Sequence, residues 1–272
     1  MDNVDHDSHI FFITAQGYAG DHWFSWLPKA LNAHPEMFVY LANEGSRPKY
    51  FSERSRSERP NIVPFTKFIS DVCRTYTAAG DCYSYRANQL QPINDEFGDR
   101  VRRVNIIRHP YVWLYFYLRW RTTNMRMGTG ETKPIDHEWS IVQHELYKGL
   151  KPYAKEDVHI WAFYRGLTFL SNHMMRDFSC DIKHIKLEDI VTSQDCFIDM
   201  VSYLTHGRVT YTQLELNTIY SWLYRPFRGE DKLYITPKGQ RELWESWQIT
   251  AFEKIVSKEA IAIFKEYGYE FY

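Results

Sequence analysis

The stretch His9-Ile10-Phe11-Phe12-Ile13-Thr14 is an unbroken apolar, β-branched run that stops at two glycines, Gly17 and Gly20, and passes at Asp21 into an aromatic, amphipathic segment. Apolar side chains at successive positions suit a strand buried on both faces, and the spacing beyond Asp21 is that of a helix, so the unit reads strand, tight turn, helix. Such a strand needs a sheet covered on both sides. The turn and helix start also have the layout of a phosphate cradle, in which backbone N–H groups and a helix dipole converge on an oxyanion. No lysine or arginine stands in the loop Gln16-Gly17-Tyr18-Ala19-Gly20-Asp21; Tyr18 occupies the place where a cation would help most.

The rest of the chain alternates in the same way. Further strands are predicted at 37–42, 81–87, 101–110 (ending at Arg108) and 180–191, the last entering a turn at Glu188 and Asp189. Helices are predicted over 64–79, over the aromatic run 111–121, near 137–149, at 154–178, through Phe197 to Leu204, and at 249–267 up to Gly268. Residues 208–240 read as mixed and loop-like, and Pro28 is expected to kink or shorten the first helix. The alternation predicts an α/β fold: a mostly parallel central sheet with helices on both faces. At 272 residues the chain has the length of one large domain, 1–272. Its polar, proline-punctuated segment 45–61, carrying Arg47, Lys49, Arg54, Arg56 and Arg59, reads as a lid or acceptor loop, or as plain solvated surface.

With 33 basic against 34 acidic side chains the net charge is −1, so no global field draws the chain toward nucleic acid or an anionic membrane, and any anion site must be local. No apolar run reaches the roughly 18 residues of a membrane span. The acidic start MDNVDHDSH lacks the features of a signal peptide, and the four cysteines are scattered rather than paired, which together predict a cytoplasmic protein with reduced thiols. His6 and His9 flank Asp7, a grouping that a frayed terminus explains without a metal.

In a parallel sheet, ligands collect at the carboxyl ends of the strands. The Gln16–His22 segment follows one strand and Arg108 ends another, so both belong to that edge. Main-chain donors near Gly17, Gly20 and Asp21 suit one oxyanion, and the forked, permanently charged guanidinium of Arg108 suits a second. Two phosphate subsites point to a bisphosphorylated nucleotide.

Several fragments, in this order, resemble the sulfotransferase superfamily that uses 3′-phosphoadenosine 5′-phosphosulfate (PAPS). They are Ala19-Gly20-Asp21-His22-Trp23, Asn32-Ala33-His34-Pro35, Ile107-Arg108-His109-Pro110, Lys186-Leu187-Glu188-Asp189-Ile190-Val191 and Tyr267-Gly268-Tyr269, spread over nearly the whole chain. The resemblance implies a P-loop NTPase-like sulfotransferase fold, PAPS as co-substrate without a metal, and a small-molecule, carbohydrate or peptide acceptor. It places the nucleotide on Gln16, Gly17, Tyr18, Ala19, Gly20, Asp21, His22, Trp23 and Arg108.

Departures from the family pattern are specific. The loop cation of the family becomes Tyr18, or Gln16 if the loop is shifted, and its threonines become Asp21 and His22. Protonated His22 would put positive charge at the helix start, and with no histidine or glutamate in 82–92 it is also the nearest candidate base. The family's serine eight residues after the strand-terminal arginine becomes Phe116. Tyr117, with Tyr115 or Arg119, is the substitute donor if the helix is turned slightly. The resemblance further suggests that Trp23 packs beneath the loop and that Gln240, Arg241 and Trp247 belong to a segment closing over the nucleotide; His109, for its part, reads as a residue that helps to terminate its strand. Two rival readings stand beside the transferase: a sulfotransferase-like protein that binds its nucleotide without catalysis, and a P-loop kinase. The kinase lacks the Gly-Lys-Ser/Thr that its loop requires.

Overall fold

The computed structural model describes residues 9–15, 22–41, 75–83, 85–90, 98, 101–126, 157–178, 180–223 and 236–272. Among the described residues five strands form one sheet: β1 (His9–Ala15), β2 (Met37–Leu41), β3 (Ala78–Cys82), β4 (Val101–Ile107) and β5 (Lys183–Lys186), in the order β2-β3-β1-β4-β5. Every pairing is parallel, and β1 lies at the centre between β3 and β4. All seven residues of β1 are buried, as an apolar run with no alternation requires. The α/β class with a parallel, helix-flanked sheet is therefore the one the sequence pattern predicts.

Among the described residues the helices are α1 (His22–Asn32), α2 (Pro110–Arg126), α3 (Asp157–Phe178), α4 (Leu187–Thr192), α5 (Gln194–Thr205), α6 (Gln213–Ser221), α7 (Pro237–Glu242), α8 (Ser246–Ile255) and α9 (Lys258–Glu266). They fall into two compact units. One holds the sheet with α1, α4, α5 and α6; the other holds α2, α3, α7, α8 and α9.

In the sheet unit, Phe11, Ile13, Val104 and Ile106 bury one face against α1, α5 and α6. Trp26 of α1 is the anchor. Its indole donates to the carbonyl of Ile219 at 2.8 Å, and its ring meets Tyr220 edge-on at 5.4 Å. The Tyr220 hydroxyl in turn donates to the carbonyls of Ile190 and Ser193, which ties α6 to the C-terminal end of α4. Ile10, Phe12, Ala79, Tyr85, Leu90 and Val101 form a second cluster from the opposite side chains of the strands. Helix α1 continues through Pro28 to Asn32. The lost backbone bond is offset by the burial of Trp26, Leu27, Ala30 and Leu31 around it.

Several elements differ from their sequence reading. Ala78 and Ala79 belong to β3, not to the end of a helix, and β3 stops at Cys82 instead of running to residue 87. Its composition is poor for a strand, yet Gly80 sits opposite Phe11, where an added Cβ would fall 2.3 Å from the ring, so a small residue is obligatory. Glu188 and Asp189 lie in the first turn of α4, not in an open turn, and there they complement the helix dipole. Helix α6 lies inside the expected loop-like stretch and opens with a Thr212–Glu215 capping box. The closing helix is two helices, broken where Val256 turns extended and Ser257 caps α9 by accepting from Ala260 N–H. The lid at 45–61, the helix near 137–149 and residues 64–74 lie outside the described residues.

In the other unit α2 and α3 approach closely at Gly166, where a Cβ would lie 2.4 Å from Leu114. Beside that contact Trp113 is sandwiched between Tyr117 and Phe169, at 4.9 and 5.3 Å and within 18° of coplanar. These contacts fix the rotation of α2 about its axis.

Candidate functional site

The carboxyl edge of the sheet is set by register. Ala15, the last residue of β1, is level with Ile106 of β4, and Ile13 is level with Cys82 of β3. At this edge β1 ends at Ala15 and β4 at Ile107, and α1 begins at His22. Past the end of β3, Tyr83 donates its N–H to the Ile13 carbonyl at 2.7 Å and has φ of 67°. A tyrosine in the left-handed region costs roughly 1–2 kcal/mol, a strain located at the edge where ligands gather in such sheets.

One step inside that edge a polar row crosses three strands. Thr14 of β1 donates to Asn105 Oδ1 of β4 at 2.8 Å, and the Asn105 amide lies 3.1 Å from His184 Nδ1 of β5. Thr14 and Asn105 are each 1% exposed. The Asn105 amide is the donor, so His184 Nδ1 accepts and the ring is neutral with its proton on Nε2. Burial pushes the His184 pKa down to about 4, in keeping with that assignment. Sequence reasoning overlooked this row, although an asparagine inside the apolar body of Val101–Ile107 was its visible sign. It also passed over Asp81, a carboxylate 1% exposed on β3 immediately before the segment searched for a base.

In the second unit, Arg108 precedes α2 and is 2% exposed. Its guanidinium carbon stands 4.5 Å from the centroid of the Phe116 ring. The residue in the place of a hydrogen-bonding serine is therefore a face for the arginine cation to lie on. Tyr117 points its ring into the Trp113 stack, beside α3.

His109 is also buried, and it clamps chain segments far apart in sequence. Its Nδ1 accepts the Tyr111 N–H at 3.1 Å, which leaves the proton on Nε2 for the Glu270 carbonyl at 2.8 Å. Three rings, of Tyr111, Tyr269 and Phe271, lie 4.9 to 5.4 Å from it. Burial pushes its pKa down to about 4, with the Glu270 carbonyl opposing. Beyond ending a strand, His109 joins the start of α2 to the last residues of the chain.

Of the other expected residues, Gln240 and Trp247 are buried, and Arg241 lies over the Trp244 ring while contacting Tyr111 and Glu253. These contacts hold the aromatic cluster of Tyr111, Phe163, Trp244 and Phe252 together. Gln16, Gly17, Tyr18, Ala19, Gly20 and Asp21, and the side chains of His22 and Trp23, lie outside the described residues. Among the described residues no group of histidine, cysteine or carboxylate side chains is arranged to hold a metal ion, and no helix is long and apolar enough to cross a membrane.

No family model and no curated protein matches the sequence. Among solved structures, the chain is similar to a sulfotransferase domain from the curacin biosynthetic pathway, at 13% identity over 97% of this chain and 99% of that one, with a TM-score of 0.44. It is also similar to a sulfotransferase from Alicyclobacillus acidocaldarius, at 15% identity over 78% of this chain and 90% of that one, with a TM-score of 0.40.

Proposed function

We propose that the chain transfers a sulfuryl group from PAPS to a hydroxyl or amine acceptor. The observation that supports this reading most is Arg108: a buried, permanently charged side chain directly after β4, the neighbour of the strand that leads into the glycine-bearing loop. A buried guanidinium needs an anion or an aromatic face, and here it has the ring of Phe116 against one side. In the proposed complex Arg108 takes the 3′-phosphate. Loop amides and the start of α1, with His22 protonated, take the 5′-phosphate.

The reaction is an in-line displacement. The acceptor oxygen or nitrogen forms a bond to sulfur as the bond from sulfur to the 5′-phosphate oxygen breaks. The acceptor proton passes to a base or to water, and 3′-phosphoadenosine 5′-phosphate departs. Charge spreads over the equatorial oxygens, so positioning and fixed positive charge carry most of the rate.

The test is titration with 3′-phosphoadenosine 5′-phosphate and with adenosine 5′-phosphate, paired with transfer of radiolabelled sulfate from PAPS across phenol, carbohydrate, amine and peptide acceptors. Arg108→Ala is expected to weaken the bisphosphate at least tenfold more than the monophosphate, as the loss of a charge-assisted pair of about 1.5–3 kcal/mol implies. Equal losses refute its assignment to the 3′-phosphate. Tight bisphosphate binding without transfer to any acceptor makes the chain a binding protein, and magnesium-dependent transfer from ATP makes it a kinase.

A further inference from the structure

We infer that Asn32 guards an edge of the sheet: its side-chain amide stands where a neighbouring strand would, and so keeps β2 from pairing with β2 of a second copy of this chain. The inference is independent of the nucleotide reading.

Strand β2 is the outermost strand on its side of the described sheet. Its sequence Met37-Phe38-Val39-Tyr40-Leu41 is apolar and aromatic, with neither charge nor proline. At a sheet edge that composition invites strands from other chains. Register on β3 fixes which backbone groups face outward. Ala78 N–H donates to the Glu36 carbonyl at 3.1 Å, so Phe38 and Tyr40 continue that ladder, and the groups of Met37 and Val39 point away from β3. Both outward N–H groups are taken by the turn that precedes the strand. Met37 donates to the His34 carbonyl at 3.1 Å, and Val39 donates to Asn32 Oδ1 at 2.7 Å. Asn32 Nδ2 donates in return to the Val39 carbonyl at 2.8 Å. One amide thus copies the donor and acceptor of a paired strand residue, and the outward side of Val39 is closed to a strand.

The guard is held in place from the far side of its turn. Asn32 is the last residue of α1, and the Tyr211 hydroxyl donates to the Ala30 and Leu31 carbonyls just before it, at 2.9 and 3.3 Å. His34 Nδ1 accepts the Glu36 N–H at 3.2 Å, which leaves the proton on Nε2 for the Thr210 carbonyl at 3.2 Å. Asn32 itself is exposed, so the stretch of edge it covers lies at the surface. A second copy is the partner that fits this edge because β2 is complementary to itself. About a two-fold axis at Val39, antiparallel strands exchange the Val39 N–H and carbonyl in a closed contact. That register also sets Phe38 opposite Tyr40 of the other copy, twice; within one chain these half-buried rings share a face, 4.6 Å apart at 71°.

The experiment is sedimentation equilibrium of wild type, Asn32→Ala and Trp26→Phe over about a hundredfold range of concentration, with hydrogen exchange of the Val39 amide. Asn32→Ala is expected to raise the self-association constant at least tenfold over wild type, because the pair of backbone bonds that Asn32 occupies becomes available to the second copy. Its Val39 amide should exchange faster than in wild type when dilute and slow again as concentration rises. Trp26→Phe loses the indole bond to Ile219 in the same unit and leaves the edge covered, so it is expected to associate no more than wild type. Asn32→Gly serves where the alanine variant does not fold, since a helix end tolerates glycine. Association of Asn32→Ala no stronger than wild type, or equally strong association of Trp26→Phe, overturns the inference. So does an associated species whose Val39 amide exchanges as fast as in the dilute variant, because the contact then lies elsewhere.

Discussion

Lowering the pH should unlatch His109. In the folded protein its Nδ1 is committed as an acceptor from Tyr111 N–H, so a second proton there would set two N–H groups against each other. Its pKa is pushed down to about 4 from the ordinary 6.5. The unfolded chain binds the extra proton first, between pH 6.5 and 4, and stability in that window falls as pH falls. It is fully present above pH 6.5. The loss from this one ring is about 2 kcal/mol between pH 7.5 and 5, approaching about 3.4 kcal/mol below pH 4. His184, with its pKa also pushed down to about 4, contributes a similar loss, so the pair accounts for about 4 kcal/mol over the first interval. Urea unfolding at pH 7.5 and 5 measures it, followed by tryptophan fluorescence. His109→Gln does not titrate and keeps a donor for the Glu270 carbonyl. It is expected to be less stable than wild type at pH 7.5 but to lose about 2 kcal/mol less on acidification. A variant whose loss between the two pH values equals that of the wild type would refute the argument, because His109 would then not be held neutral by the fold.

Asn105→Leu should cost about 2–3 kcal/mol, since it removes the 2.8 Å acceptor of the buried Thr14 hydroxyl and the amide that meets His184 Nδ1; Thr14→Val in the same chain should recover part of that loss, and a double variant worse than the sum would contradict the row as drawn. Gly80→Ala should destabilise the sheet unit by about 3 kcal/mol, because the new Cβ would meet Phe11 at its ring and, at 2.5 Å, at its backbone oxygen, which no rotamer change relieves. Chemical denaturation reads this directly, and a neutral outcome would mean that β3 and β1 are not in this register.

How much of the site was legible depended on how local its signals are. That a strand runs from Val101 up to Arg108 could be read from its apolar body and the proline that follows, and β4 ends at Ile107, one residue before the expected end. The partner of Arg108 could not be read. Phe116 in the sequence is one aromatic among many in Tyr111–Trp120, and only the packing of α2 on α3 selects it rather than Tyr115 or Tyr117 to lie under the guanidinium. The Thr14–Asn105–His184 row joins residues whose sequence separations approach a hundred, through strand register that no window of residues contains. Helix α6 was a different kind of miss: its Thr212–Glu215 capping box was present in the sequence, but its nine residues carry too weak an apolar stripe to stand out.

By itself, the sequence determined the class of the fold. Apolar runs alternating with helical spacing leave backbone and side chains no economical arrangement except a parallel sheet buried on both faces, and hydrophobic burial enforces that choice through each strand separately. The tertiary structure alone decided which side chains share a neighbourhood. Gly80 in a strand, a histidine latched to the chain's last residues and a cation resting on Phe116 all depend on register and helix rotation. Those are fixed by close packing among distant segments, where a displacement of one residue or one methylene changes every contact.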